Sequence, residues 1–277
     1  MKVLKCLAIA LFALMMVSCG DDEPNSSYTR EFNMIYPVLP AGHKYISKIE
    51  QISDNGNTTV ATATYDGDHL KSIKVETKYS TGGGNEETIN FDYKNGAIIC
   101  DRSIKDVTYA IEINTLGAIT RLKDITTERI VSSFQYNYDN ELEMAQTSDV
   151  TKVTWLNGNL TNWVSYNINK KDSVAYEYGP EALPNKGGID IVGNESFTFT
   201  KYVCAIMRNA GLFGNTSAFL PTVIKKDYDY SLVSETNPTE PAQLKRYDIT
   251  YELDANGYVK SYTTNETPKY TVKITYR

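Results

Sequence analysis

Most of the chain after residue 45 alternates apolar and polar residues with the period of two that is typical of β-strands. The alternating runs occur in pairs joined by short turns rich in Asn, Asp and Gly. Each pair has an aromatic residue or Ile before the turn and an aliphatic residue after it: Tyr65/Leu70, Tyr93/Ile98, Ile113/Ile119, Tyr138/Leu142, Trp155/Leu160 and Tyr251/Val259. Asn95-Gly96, Asn157-Gly158 and Asn256-Gly257 favour tight hairpins, because both residues tolerate a positive φ. The pattern predicts successive β-hairpins with roughly a dozen or more antiparallel strands.

A meander of that length usually curls or closes, because an open sheet leaves two exposed edges. The predicted fold is therefore mainly β: an antiparallel hairpin meander forming a curled or closed β-barrel, with one helical insertion packed in or against it. Alternation alone does not say which face is inside. In residues 270–276, apolar and polar side chains alternate, which fits either a soluble barrel with an apolar interior or a membrane barrel with a polar lumen. An apolar helix needs an apolar interior, which favours the soluble form with its polar face in water.

One stretch, residues 194–221, has helical rather than strand periodicity. Its apolar residues recur at i, i+3, i+4, i+7, i+8 and i+11: Phe199, Tyr202, Val203, Ile206, Met207 and Ala210. Asn194 or Ser196 is placed to cap the start of a helix, and Gly211 to take the left-handed conformation that ends it. One side of this helix must be buried, so we expect it to be inserted within a single sheet system.

The first residues have the layout of an export signal: Lys2 and Lys5, then an uncharged apolar run, then Ser18 before Cys19. The apolar run is shorter than the roughly 20 residues that a membrane-spanning helix needs. Ser18-Cys19 resembles the lipobox of bacterial lipoproteins, whose cysteine becomes the acylated, palmitate-bearing N-terminus; an ordinary secretory signal with an incidental cysteine is the alternative. We predict a lipoprotein signal peptide over residues 1–18, a lipidated N-terminus and flexible tether over 19–44, and one β-barrel-like domain over 45–277.

The residues after Cys19 bear on location. Gly20-Asp21-Asp22-Glu23 resembles the acidic signal that sends lipoproteins of the Bacteroidota to the outer face of the outer membrane. We therefore expect a lipid-anchored outer-membrane protein that faces the cell exterior, with the membrane as a partner through its anchor. The net charge of −6 argues against nucleic acid as a partner, because nucleic-acid binding needs clustered Lys and Arg.

The hairpins also resemble a known family. The strand tyrosines with Asn-Gly or Asp-Gly turns, the Asn185-Lys186-Gly187 loop, and residues 210–214 (AGLFG) leading to 218–221 (AFLP) are similar to Bacteroidota lipoproteins of unknown function with a porin-like fold. The resemblance covers about Tyr45 to Arg277. It implies a curled or closed antiparallel barrel with a helical segment against or inside it. It implies no activity and supplies no catalytic residues.

The sequence contains little that points to chemistry. The two histidines, His43 and His69, belong to no spaced metal set, and no nucleotide-binding or hydrolase motif is present. We predict no enzyme activity, no metal and no cofactor. Asp227 and Asp229 are better explained as a solvated face than as an acid and base pair. Cys100 and Cys204 are the cysteines left to form a disulfide, but small buried thiols are the favoured interpretation.

The leading functional hypothesis is a monomeric carrier that binds a lipid-like or other amphipathic ligand between sheet and helix. Four apolar residues of the helical stretch would form one wall of the site: Tyr202, Ile206, Leu212 and Phe213. The hypothesis fails if the helix fills the barrel. The alternative is a structural or interaction module that binds a surface glycan or a partner protein through its hairpin loops.

Trp163 is the candidate contact for that alternative. A two-residue turn at Asn157-Gly158 would put Trp163 on the polar face, opposite Val153 and Trp155, where it could stack on a sugar ring or touch a lipid. A covering loop or a shifted register, either of which would bury Trp163, is the favoured alternative.

Overall fold

A computed structural model describes residue 39 and residues 42–94, 97–103, 106–166, 171–189, 199–229 and 245–277. The elements are β1 (Ile46–Ser53), β2 (Thr58–Asp66), β3 (His69–Lys78), β4 (Gly84–Lys94), β5 (Ala97–Arg102), β6 (Val107–Ile113), β7 (Ile119–Asp124), β8 (Ile130–Tyr136), β9 (Leu142–Gln146), β10 (Val150–Leu156), β11 (Asn159–Tyr166), β12 (Lys171–Glu177), α1 (Lys201–Asn209), β13 (Val223–Asp229), β14 (Lys245–Leu253), β15 (Val259–Thr264) and β16 (Tyr270–Tyr276). Cys19 and the predicted leader lie outside the described residues.

The sixteen strands form one closed antiparallel barrel. Each strand pairs with its neighbours in sequence, and β16 returns to pair with β1, where Ile274 lies opposite Ile49. Closure leaves no free sheet edge, which removes the edge-strand problem that a long meander would otherwise have. The predicted fold class, a mainly β barrel with one helical insertion, is confirmed.

Apolar side chains point into the barrel and polar side chains point out. On β16, Val272 and Ile274 are buried while Lys273 and Thr275 are exposed. The outer face carries ion pairs, among them Arg121–Glu112 at 3.2 Å and Lys260–Glu252 at 2.7 Å. Of the two barrels that the alternation allows, the chain forms the one with an apolar interior.

Helix α1 is shorter than the helical stretch predicted from the sequence. It begins after Thr200 and spans nine residues, and Gly211 follows it with a φ of +80°. Gly211 thus takes the predicted left-handed conformation at the helix end. The predicted caps Asn194 and Ser196 lie outside the described residues. Nothing in the described part of the chain forms a helix long and apolar enough to cross a membrane.

Many hairpins carry a β-bulge just after their turn, an irregularity that the sequence pattern did not reveal. The register shifts by one residue in six of them: β2–β3, β6–β7, β7–β8, β8–β9, β10–β11 and β14–β15. A bulge places two residues of one strand opposite one residue of its partner, so the inward and outward faces exchange beyond it. Strand faces assigned by counting from the turn are therefore reversed after the bulge.

The bulge corrects the prediction for Trp163. Asn157 and Gly158 do form the predicted tight turn, with φ values of +51° and +71°, and Leu156 pairs with Asn159. Thr161 is then the extra residue, so Val153 faces Trp163 across the pair. Trp163 points into the barrel and is 1% exposed. The position on the polar face, which assumed an unshifted register, is wrong; the favoured interpretation, a shifted register that buries Trp163, is the one that the structure shows.

The other predicted turns differ in detail. Lys94 pairs with Ala97 across the predicted turn Asn95-Gly96, which itself lies outside the described residues. The Asn256-Gly257 hairpin has a longer loop, in which the Asp254 N–H donates to the Tyr258 carbonyl over 2.8 Å. Gly257 alone carries the positive φ there, at +83°.

Candidate functional site: the filled barrel interior and its two ends

Helix α1 lies within the barrel and packs against strands β1, β2 and β3. Val203, Ile206 and Met207 on its buried side have no exposed surface. On the other side of the interior, the Phe213 ring lies edge-on to the Phe134 ring of β8 at a centroid distance of 5.3 Å. The helix and the turn that follows it therefore bridge the interior and fill it with apolar side chains.

The chain after the helix closes one end of the barrel. We call residues 210–222 the cap segment, and the end it covers, where β2–β3 and the other even-to-odd turns lie, the capped end. The cap segment bonds to three successive hairpins: Ile119 N–H donates to Leu212 O (2.8 Å), Asn215 N–H to Asn140 O (2.8 Å) and Ala218 N–H to Gly158 O (2.9 Å). These backbone bonds fix the segment across the turns.

Gly214 shows how closely the cap segment and the turns approach. It has a φ of +74°, and a Cβ atom at this position would clash with the backbone carbonyl oxygen of Asn140. Glycine is the residue that meets both requirements, a left-handed backbone and close backbone approach. The glycine-flanked stretch AGLFG that marked the family resemblance thus has a physical role in docking the cap segment.

Asn209, the last residue of α1, joins the helix to the start of β1. Its side-chain oxygen accepts from the Ile46 N–H at 2.7 Å, and its Nδ2 donates to the Gly187 and Lys44 carbonyls at 2.8 and 3.2 Å. His43 Nε2 lies 2.9 Å from the Asn209 carbonyl oxygen. Asn209 is 1% exposed, and its bonds to Ile46 and Gly187 are shielded from water, while those to His43 and Lys44 are half-buried. Asn209 lies on the apolar side of the predicted helix. A polar residue in that position indicates a buried hydrogen-bond network.

Aromatic side chains complete the hydrogen bonding of the bulges at the capped end. Four of them donate to carbonyls over 2.8 Å: Tyr65 to Ile46, Tyr136 to Ile119, Trp155 to Leu142 and Tyr178 to Leu160. Each accepting carbonyl belongs to the residue just before a register shift. A bulge disrupts the ladder locally, and the aromatic residue of the next strand supplies a donor in its place. The excess of tyrosine in the sequence is explained in part by this repeated contact.

The opposite end, which we call the far end, uses charges instead. Arg102 of β5 and Glu87 of β4 form a buried ion pair, with Arg102 Nε 2.6 Å from Glu87 Oε1. The guanidinium group also lies over the Phe199 ring at 5.3 Å. Across the barrel, Lys226 Nζ contacts both oxygens of Glu266 at 2.9 and 3.1 Å. Phe199, on which the Arg102 guanidinium lies, comes two residues before the first residue of α1.

The predicted ligand-contacting residues all lie in the interior. Trp163, Tyr202, Ile206, Leu212 and Phe213 belong to one hydrophobic cluster, and none is more than 6% exposed. Burial raises the pKa of the Tyr202 hydroxyl well above its usual range, so it stays neutral. Tyr202, Ile206, Leu212 and Phe213 thus lie between sheet and helix, and Trp163, the proposed surface contact, lies inside with them; all five pack against the barrel and one another.

Around the described residues, the larger open spaces lie on the outer wall of the barrel. A cavity of about 30 Å³ lies between the wall and the cap segment, lined in part by Leu70, Ile98 and Leu212; that is room for about one water molecule. Two depressions of about 570 and 710 Å³ lie on the outer wall. A drug-sized ligand needs roughly 300–1,000 Å³. With α1 in place, the small cavity beside Leu212 does not hold a lipid.

The remaining reactive groups form no assembled site. Cys100 and Cys204 are free thiols, and burial raises the pKa of each to about 12. The described residues contain no group of three His, Cys, Asp or Glu side chains placed to hold a metal ion. Burial lowers the pKa of His43, whose imidazole contacts Asn209.

Comparison with known proteins identifies the fold. A porin-like protein from Bacteroides uniformis, solved by crystallography, matches with a TM-score of 0.64 at 17% sequence identity, over 87% of this chain and 100% of that chain. This chain shares its fold. A porin-like protein from Bacteroides vulgatus aligns with a TM-score of 0.36 and 11% identity, over 84% and 99% of the two chains. No family model matches the sequence, and no curated protein matches it.

Proposed function

We propose that this protein is a non-enzymatic, lipid-anchored barrel of the outer membrane that works as an interaction module on the cell surface. In this proposal it binds a surface glycan on its outer wall and carries no ligand inside. The observation that supports it best is the filled interior: Val203, Ile206, Met207 and Phe213 are all 0% exposed. A barrel filled by its own chain is a rigid scaffold, and binding is left to its surface.

The outer face supports placing the barrel in water beside the membrane. A Lys or Arg that faces lipid at the centre of a bilayer costs about 2–4 kcal/mol. Paired charges such as Arg121–Glu112 and Lys260–Glu252 stand on the outward faces of the described strands. A lipid on Cys19 would hold such a barrel at the membrane without inserting it.

The 710 Å³ depression is the surface that best fits a sugar. Its outward-pointing side chains offer amide, hydroxyl and guanidinium groups: Thr120, Arg121, Ser133, Gln135 and Gln146. Amides and guanidinium groups provide fixed donors, and hydroxyls and amide oxygens also accept, which matches the mixed hydrogen-bonding demand of sugar hydroxyls. The volume is that of a site for a small ligand. We name this depression the outer groove.

A glycan array tests the binding claim. We expect the full-length protein to bind a restricted set of surface glycans, and Gln135→Ala combined with Gln146→Ala to weaken that binding at least about tenfold, the loss of roughly two hydrogen bonds. The matched control is Thr263→Ala with Thr271→Ala, which changes the 570 Å³ depression. Retention of binding in the groove variant would contradict the proposal, as would binding of a protein partner with no glycan bound.

Fractionation of cells tests the anchor separately. Wild-type protein should be found with the outer membrane, and mass spectrometry should show an acylated N-terminal Cys19. Cys19→Ser should release the protein from the membrane fraction, because the acyl chains on Cys19 are the proposed membrane anchor. A Cys19→Ser protein that stays membrane-bound would contradict the anchor.

The carrier hypothesis needs a further step. For an amphipathic ligand to contact Tyr202, Ile206, Leu212 and Phe213, α1 would have to leave the barrel or move within it. That movement would break the contacts of Asn209 and the cap segment. The glycan-binding module requires no such rearrangement.

A further inference from the structure

The described chain enters the barrel at the capped end. Tyr258 OH, in the β14–β15 turn, donates to the Gly42 carbonyl at 3.1 Å, and Ile46 N–H donates to Asn209 Oδ1 at 2.7 Å. His43 Nε2 contacts the Asn209 carbonyl oxygen at 2.9 Å. The first residues of the domain are thus bound at the capped end. The segment that connects them to Cys19 joins the domain at this end.

Exposed apolar side chains also gather at this end. We call them the apolar rim; with their exposed fractions, they are Leu116 (53%), Tyr138 (106%), Leu156 (63%), Leu183 (38%) and Phe219 (40%). Three of them lie on the consecutive hairpins β6–β7, β8–β9 and β10–β11. The other two lie at the isolated bridge between Pro184 and Phe219 or beside it.

Hydrogen bonds connect the turns that carry the rim. Asn114 Nδ2 donates to Asn140 Oδ1 at 3.1 Å, which joins the first two hairpins. Phe219 N–H donates to Asn159 Oδ1 at 2.9 Å, which joins the third hairpin to the cap segment. The apolar rim is therefore carried by turns that are hydrogen-bonded to one another or to the cap segment.

Among the residues that the structure describes, the far end has no such connected set of exposed apolar side chains. Its large exposed apolar residues, Tyr79, Ile125, Ile130 and Tyr166, are spread over the β3–β4, β7–β8 and β11–β12 connections, which are not neighbours around the barrel. The middles of the described strands contribute none. A connected set of exposed apolar side chains on a protein surface marks a contact with a membrane or a partner.

We propose that the capped end rests on the lipid surface, with the apolar rim in the membrane interface and the far end directed away from the cell. This inference relies on the proposed anchor at Cys19. The 22 residues from 20 to 41 can reach at most about 75 Å, at 3.4 Å per residue. An anchor of that length keeps the rim at high local concentration near the bilayer, so a weak apolar contact is enough to orient the barrel.

Spin labels on the anchored protein test the orientation. Cys100 and Cys204 are buried and Cys19 would be acylated, so a nitroxide reagent should modify an introduced surface cysteine selectively. We compare Tyr138→Cys on the rim with Tyr79→Cys at the far end, in the full-length lipidated protein in phosphatidylethanolamine and phosphatidylglycerol vesicles. The ratio of relaxation by lipid-soluble oxygen to relaxation by a water-soluble nickel complex should be at least about threefold higher at residue 138, as for a group in the interface.

A charge variant makes the test stricter. In the presence of Leu156→Asp and Phe219→Asp, a label at Leu116→Cys should lose its oxygen preference, whereas Ile125→Asp with Ile130→Asp should leave it unchanged. Equal ratios at residues 138 and 79 in a membrane-bound protein would overturn the orientation and leave the anchor standing. Failure to find the protein on membranes would instead refute the anchor.

Discussion

The two ends of the barrel bury polar groups in different ways. At the capped end, neutral groups make most of the contacts: Asn209 binds backbone groups of β1 and of the Gly187 loop, and aromatic donors bond to the bulge carbonyls. Two ionisable side chains, Glu141 and Arg208, are also buried there, and the Asn137 amide donates to the Glu141 carboxylate at 2.7 Å. At the far end, charged groups pair inside the wall, as Arg102 does with Glu87. Neutral hydrogen bonds are suited to closing the barrel end permanently, because the buried donors and acceptors are satisfied without burial of a charge. The far end depends on full pairing of its ions.

The difference predicts that the far-end ion pair is the more sensitive to removal of one partner. Glu87→Ala should lower the free energy of unfolding by about 3–5 kcal/mol, because it removes the carboxylate that balances the buried charge of Arg102. Urea unfolding followed by circular dichroism measures it. Glu112→Ala removes the acid of the exposed Arg121 pair and should cost far less. Equal losses in the two variants would contradict a buried, paired Arg102.

At the capped end, stability should depend most on Gly214, where the backbone of the cap segment contacts the backbone of the β8–β9 turn. Gly214→Ala should cost about 2–4 kcal/mol, because its methyl group meets the Asn140 carbonyl and its φ is left-handed. Gly83→Ala is the matched control, with a φ of +78° and no atom within 4 Å of the added Cβ. The control should cost about 1 kcal/mol, the conformational part alone. If both variants lose the same stability in urea, the cap segment does not press on the β8–β9 turn.

Single hydrogen bonds at the bulges should have smaller effects. Tyr136→Phe removes the donor to the Ile119 carbonyl and should cost about 1–2 kcal/mol, because the carbonyl of the buried Ile119 loses this donor. Tyr138→Phe, two residues along and fully exposed, should leave the unfolding free energy unchanged. Thermal or urea unfolding of the pair measures the difference. If Tyr136→Phe leaves the free energy of unfolding unchanged, the aromatic donors do not support the bulges.

The reactivity of the two thiols should show whether the barrel interior is closed, without any substitution in the chain. Burial raises the pKa of Cys100 and Cys204 to about 12, so at pH 8 both are protonated and shielded. A chromogenic disulfide reagent should react with neither thiol in the folded protein and with both after unfolding in urea, since thiolate and access are both required. Rapid reaction of Cys204 under native conditions would show that α1 leaves the barrel.

The fold was readable from the sequence because it depends on local rules. Alternation, Asn-Gly turns and one helical stretch are short-range signals, and a long antiparallel meander closes for a general reason. The bulges were not readable, since an extra residue such as Thr161 looks the same as any other polar strand residue. The polar-face position of Trp163 failed for that reason, whereas the favoured interpretation, a shifted register that buries it, was right.

The interior contacts could be predicted only in part. Arg102 follows Ile98 and Cys100 on one strand face, and Asn209 lies on the apolar side of the helix, so both can be recognised as polar residues in buried positions. Their partners cannot be deduced in that way, because Glu87 and Ile46 lie 15 and 163 residues away in the chain. Whether a cavity remains beside the helix is a matter of side-chain packing in three dimensions, which alternation does not specify.

The central claim, a barrel filled by its own helix, is tested most directly by native mass spectrometry of the full-length protein extracted from outer membranes in mild detergent. The account predicts a single species whose mass equals the chain plus its covalent acyl groups. A stoichiometric, non-covalent lipid that survives desolvation and is lost on denaturation would contradict it, because such a ligand needs space that α1 occupies.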